Sequence, residues 1–135
     1  MTIELNRFNM LALADSLLRW LPMFLLAALG LFFFLMARPV SAATAKQLLN
    51  AGAKVIDVRS PAEFASGAVK GAINIPLESV ASRIASVVPD KSTPLLVHCL
   101  SGGRSAVARG ILRRAGYAHT HNLGSLARAK QIVET

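Results

Sequence analysis

The sequence predicts an α/β domain with a mostly parallel sheet flanked by helices, preceded by one transmembrane helix. Short apolar or β-branched runs alternate with helical patterns from residue 54 onward, the pace of a parallel α/β sheet. An uncharged apolar segment precedes them. The only cysteine of the 135-residue chain stands where an apolar run meets a glycine pair.

Residues 1–19 read as an N-terminal leader. Residues 20–37, "WLPMFLLAALGLFFFLMA", carry no charge. As a helix they extend about 27 Å, close to the thickness of a bilayer core. Pro22 falls in the expected first turn, where its missing N–H does little harm, and Trp20 suits a membrane interface. "PVSAA" (39–43) has the small residues of a signal-peptidase site, so a cleaved signal competes with a retained anchor. Leader and apolar run are both long for a signal. A buried core helix is disfavoured because no face of the segment carries charge. Arg7 and Arg19 on one side, against Arg38, Lys46 and Lys54 on the other, give a slight vote for a cytoplasmic C-terminal side.

Residues 38–44 read as a linker and 45–135 as the domain. Ala45 to Asn50 suggests a small helix ended at Gly52, and "KVIDVR" (54–59) a buried strand. Ser60, Pro61 and Glu63 spell a capping box with proline at the first helical position. "AINIP" (72–76) is a second short strand, stopped by Pro76. Leu77, Val80, Ile84 and Val87 recur at helical spacing, and Pro94 precedes the strand "LLVHC" (95–99). Val107, Ile111 and Leu112 mark one face of a helix closed by Arg113, Arg114 and Gly116. "YAHTHNL" (117–123) alternates like a final strand and "SLARAKQIV" (125–133) like a closing helix.

Residues 38–135 hold 13 Lys and Arg against 5 Asp and Glu, whereas residues 1–37 hold two of each, so the whole net charge of +8 lies beyond the membrane segment. That balance favours small anions or an anionic membrane surface. No nucleic-acid partner is expected, because the charges form no tract and the domain's aromatics are Phe64 and Tyr117 alone. One cysteine excludes an intramolecular disulfide and a multi-cysteine zinc cage. No metal or cofactor is expected: His119 and His121 would share a strand face, but no carboxylate or second thiol lies near them in sequence. His98 should point to the face of its strand opposite Cys99, as a structural residue.

A lone Cys after an apolar run is most often a small buried hydrophobe. Here Leu100, Ser101, Gly102, Gly103, Arg104 and Ser105 follow it, a glycine-containing turn able to point backbone N–H groups inward ahead of a helix N-terminus. A thiol facing that cradle should have a lowered pKa, from the amides, the helix dipole and Arg104 together. Nucleophilic attack on an anion held by the loop is the expected chemistry. Cysteine phosphatases also set His before Cys and Arg after it, with five intervening residues; this chain has four, a tighter cradle better matched to a transferred sulfur.

The segment from Lys54 to Gln131 resembles a single-domain rhodanese of the phage-shock protein E type, a thiosulfate sulfurtransferase family. The resemblance rests on "VIDVRSPAEF" (55–64), "GAINIPL" (71–77), "VPDK" (88–91), "CLSGGRS" (99–105), "GY" and "HNLG". It implies a rhodanese-like three-layer fold and a Cys99 persulfide, loaded from a small anionic sulfur donor such as thiosulfate and unloaded to cyanide, a thiol or a protein acceptor. It further implies that the amides of Leu100 to Ser105 hold the substrate, that Arg104 supplies the anion-binding charge, and that Asp57 and Arg59 support the loop. A periplasm-facing domain anchored by residues 20–37 is implied as well. The chain departs from the family at Ala68 and Lys70, where histidine and proline are frequent, and at Gly124-Ser125 in place of a glycine pair. Leu100 offers no polar group, which predicts modest thiosulfate affinity and leaves open an acceptor other than cyanide. A membrane-anchored persulfide sensor or delivery module without turnover is the alternative.

Overall fold

The computed structural model describes the backbone of residues 2–135 and the side chains of residues 15–35 and 37–135. The chain divides into two compact units, Met1–Met36 and Ala37–Thr135.

The first unit is one helix, α1 (Thr2–Met36). Its Asp15–Leu35 stretch of 21 residues has a mean hydropathy of 2.0, long and apolar enough to cross a membrane or to serve as a signal sequence. The leader is therefore helical rather than a separate segment, and Pro22 lies inside the helix, not in its first turn. It removes one backbone donor there, a loss that tells locally on the helix.

In the second unit, Val40 N–H bonds Asn122 O at 2.8 Å and Ser41 caps α2 (Ala42–Asn50) through Thr44 N–H. The expected linker is thus half docked strand-edge and half helix, because a serine cap starts the helix three residues earlier than its apolar pattern. Next come β1 (Lys54–Asp57), α3 (Pro61–Ala65), β2 (Ile73–Asn74), a 3-10 turn (Leu77–Ser79) and α4 (Val80–Val87). The chain closes with β3 (Leu95–Cys99), α5 (Gly103–Arg114), β4 (Thr120–Ser125) and α6 (Leu126–Val133). His119 lies just ahead of β4, so it does not share a strand face with His121.

The four strands are all parallel, in the order β2-β1-β3-β4. Alternation along β3 divides the core between the two sheet faces. Leu95, Val97 and Cys99 join Ile56, Val80, Ile84, Ala108, Leu112 and Tyr117 on the α4/α5 face. Leu96 packs with Ala45, Val55, Leu123, Ala129 and Ile132 under α2 and α6. This is a three-layer α/β/α domain. Helix α5 docks through Ser105, Ala108 and Leu112, whereas Val107 is 54% exposed and does not belong to the buried face as its spacing suggested. Small side chains at 105 and 108 let the helix sit close on the sheet, which turns Val107 outward.

Candidate active site

Cys99 ends β3, at the carboxyl edge where parallel sheets gather ligands. Two strand-end irregularities shape its surroundings. The β3/β4 register slips between Val97 and His98, so that Val97 faces Asn122 but His98 faces Gly124. Gly124 has φ +100°, and a Cβ there would meet the Arg128 side chain at 3.1 Å. Gly102 has φ +104° and packs over Gly124. Both positions ask for glycine on conformational grounds.

The loop turns inward over the sulfur. Gly102 N–H donates to Cys99 Sγ at 3.0 Å, and Ser105 Oγ lies 3.7 Å from it. Helix α5 has no side-chain cap, so its first amides are left to serve what lies in front of them. Burial pushes the Cys99 thiol up, but the Ser105 amide and hydroxyl and the Gly102 and Ser101 amides outweigh it, and the net shift is below the usual thiol value. Cys99 has no accessible surface, while Leu100 beside it is 56% exposed.

Ser105 is held from below. Its Oγ also contacts Asn122 Oδ1 at 2.8 Å and Gly102 O at 2.9 Å, and Asn122 Oδ1 accepts Gly124 N–H at 3.0 Å. Asn122 Nδ2 in turn donates to Ala37 O at 2.7 Å. One hydroxyl proton serves three possible acceptors, so the sulfur receives it only in competition with two oxygens.

Arg104 is engaged by a carboxylate. Its Nη1 and Nη2 donate to Glu63 Oε2 and Oε1 at 2.8 and 2.7 Å, a bidentate pair. Glu63 is also the capping-box residue of α3, accepting Ser60 N–H at 3.1 Å. These bonds, Arg104 first, hold the Glu63 carboxyl at about 2. The Arg104 pKa is raised, by Glu63 foremost and less by the charge of Cys99.

Asp57 and Arg59 lie one strand away, and Arg59 is linked to Arg104 of the loop through Glu63 of α3. Arg59 is buried and gives its Nε and Nη2 to Asp57, with its remaining bonds to Glu63 O and Gly67 O. A continuous path therefore runs from Asp57 through Arg59 and Glu63 to Arg104. His98, opposite Cys99 in strand direction, is buried with no hydrogen-bond partner on either ring nitrogen; Nε2 is 3.6 Å from Asp57 Oδ2. Burial lowers its pKa, opposed by the Asp57 charge. No group of three metal-ligating side chains occurs among the described residues.

Three members of this arrangement were not singled out as site residues by the sequence: Glu63, read only as a helix cap, the Asn122 side chain, and the Ser105 hydroxyl as opposed to its amide. Asn122 sits inside the quoted "HNLG" motif, and a polar side chain within a strand was the available signal.

A parallel three-layer sheet with a cysteine loop wrapped around its own sulfur defines a rhodanese-like domain, and the family model for that domain matches residues 41–127. The chain belongs to the rhodanese-like family. It is 48% identical over 71 residues to thiosulfate sulfurtransferase PspE of Escherichia coli, covering 53% of this chain and 68% of the relative. It is 39% identical to the chloroplastic thiosulfate sulfurtransferase 16 of Arabidopsis thaliana, over 71% of this chain and 90% of that one. Among solved structures, an E. coli rhodanese with anions aligns at TM-score 0.55 and 45% identity, over 56% and 89% of the two chains. The human single-domain sulfurtransferase TSTD1 aligns at TM-score 0.60 and 28% identity, over 72% and 97%.

Proposed function

We propose that the protein is a thiosulfate sulfurtransferase that carries a sulfane sulfur as a Cys99 persulfide. The observation that carries this reading is the Gly102 N–H directed at Cys99 Sγ from 3.0 Å inside a loop with further amides aimed the same way. A sulfur so placed is stabilised as thiolate, the attacking form.

The Cys99 thiolate attacks the outer sulfur of thiosulfate. The sulfur–sulfur bond of the donor breaks, and its electron pair leaves with sulfite. The terminal persulfide sulfur then occupies the cradle of the Leu100 to Ser105 amides. As negative charge gathers there, the Ser105 proton can swing from Asn122 or Gly102 toward it. An acceptor thiolate, or cyanide, attacks the terminal sulfur and Cys99 departs as thiolate, ready for a second cycle. Arg104 draws the anionic donor to the mouth, and Asp57 with Arg59 anchors α3, on which the partner of Arg104 sits. Residues 15–35 serve as a membrane anchor, with the domain facing the periplasm.

Intact mass tests the reading directly. Thiosulfate should add one sulfur atom to the full chain, with stoichiometric sulfite released, and Cys99→Ala should abolish both. A free thiol that gains no mass from any of several sulfane donors rejects it. The exposed apolar Leu100 beside Cys99 favours one second reading, a carrier loaded by a protein partner. Such a carrier would take up a persulfide stoichiometrically and show no steady-state sulfite production.

A further inference from the structure

Resting on that reading, we propose that Glu63 is a donor-selecting residue: by pairing with Arg104 at the mouth of the Cys99 loop it weakens the hold on dianionic donors relative to donors of lower charge.

Arg104 is the only cation in the loop from Leu100 to Ser105. Each of its terminal nitrogens gives one N–H to a Glu63 oxygen, at 2.8 and 2.7 Å. The carboxylate stays ionised at any working pH, since its pKa is held at about 2. An incoming thiosulfate therefore meets an ion pair rather than a free guanidinium, and binding it must either break the pair or proceed against the Glu63 charge. That penalty scales with the charge of the donor. A monoanionic thiosulfonate or an organic persulfide suffers less.

The capping box lets charge be separated from structure. Glu63 accepts Ser60 N–H, and a glutamine can fill the same place in such a box. Glu63→Gln removes the charge and keeps the acceptor, whereas Glu63→Ala removes both. The pair is also 38% and 32% exposed at Arg104 and Glu63, so its influence must respond to salt.

The experiment is calorimetric binding of thiosulfate and of benzenethiosulfonate to full-length Cys99→Ala protein in zwitterionic micelles, with and without Glu63→Gln. No turnover is needed, so a failure here is distinct from failure of the wild type to form a persulfide. At low ionic strength, thiosulfate affinity should rise about three- to tenfold on adding Glu63→Gln, by the size of a unit charge acting through partly screened solvent. Benzenethiosulfonate should gain distinctly less. Both gains should vanish near 1 M salt, where the screening length is about 3 Å. Glu63→Ala should tighten thiosulfate binding as Glu63→Gln does while lowering the melting temperature further, which separates the charge from the cap. Unchanged affinity at low salt, equal gains for the two anions, or no binding in either background overturns the proposal.

Discussion

At Cys99, solvation and hydrogen bonding pull in opposite directions and the balance is local. The sulfur has no accessible surface, which favours the neutral thiol, yet three amides and a hydroxyl around it favour the thiolate. The thiolate absorbance of the folded chain should therefore titrate with a midpoint below that of an ordinary thiol. Ser105→Ala removes the hydroxyl but not the amide at the same position, so the midpoint should rise while staying short of the ordinary value. The same change removes a buried bond to Asn122 and should cost about 1 kcal/mol of stability. A midpoint indifferent to Ser105→Ala would mean that the hydroxyl belongs to Asn122 and Gly102 alone. The loop residues Leu100 to Ser105 were legible in sequence because a cradle of this kind is built by consecutive residues. Glu63 and Asn122 were not, lying 41 positions before Arg104 and 17 after Ser105 along the chain.

Helix ends show how far local chemistry carries. Ser60 accepts Glu63 N–H while Glu63 accepts Ser60 N–H, both satisfying donors that α3 would otherwise leave open, and four adjacent residues were enough to read it. Ser125 does similar work for α6 through Arg128 N–H at 3.3 Å, where relatives of this family often carry a second glycine. Ser125→Ala should destabilise the domain by about 1 kcal/mol, and Ser125→Gly by only a few tenths, since glycine is itself a tolerated cap. For a domain near 100 residues the first corresponds to a melting shift of about 4–8 °C. An unchanged melting temperature for Ser125→Ala would show that the Ser125 hydroxyl contributes nothing. Helix α5 was harder to read. Its apolar count points to Val107, but its small residues decide which side meets the sheet, and their importance appears only once the sheet is present.

Across the whole domain, the neutral burial of His98 ties stability to pH. Its pKa is lowered, so between the unfolded value near 6.5 and the lower folded one the unfolded chain binds the proton and the folded chain does not. Stability is thus complete above about pH 6.5 and falls as pH drops below it. His121, also lowered by burial and then by Arg109, Arg113 and His119, adds in the same direction. Glu63 extends the loss from 4.5 down toward 2. In Cys99→Ala protein, which lacks the titrating thiol, the denaturant midpoint of the domain, followed by pulse proteolysis, should be level from pH 8 to 7 and decline steadily toward pH 5. A profile flat down to pH 5 contradicts a buried neutral His98.

Whatever depends on neighbours along the chain was determined by the sequence itself: the apolar span of α1, the alternation of strands and helices, the Ser60 capping box, and a cysteine followed at once by its amide cradle. These need only periodicity, turn chemistry and spacing. The tertiary structure alone decided which groups meet across the sheet's edge. It joined Glu63 to Arg104, set Asn122 beneath Ser105 beside the register slip between Val97 and His98, and fastened the expected linker to β4. Such meetings depend on how strands are ordered and how closely helices dock, and those choices are made by the packing of the whole domain.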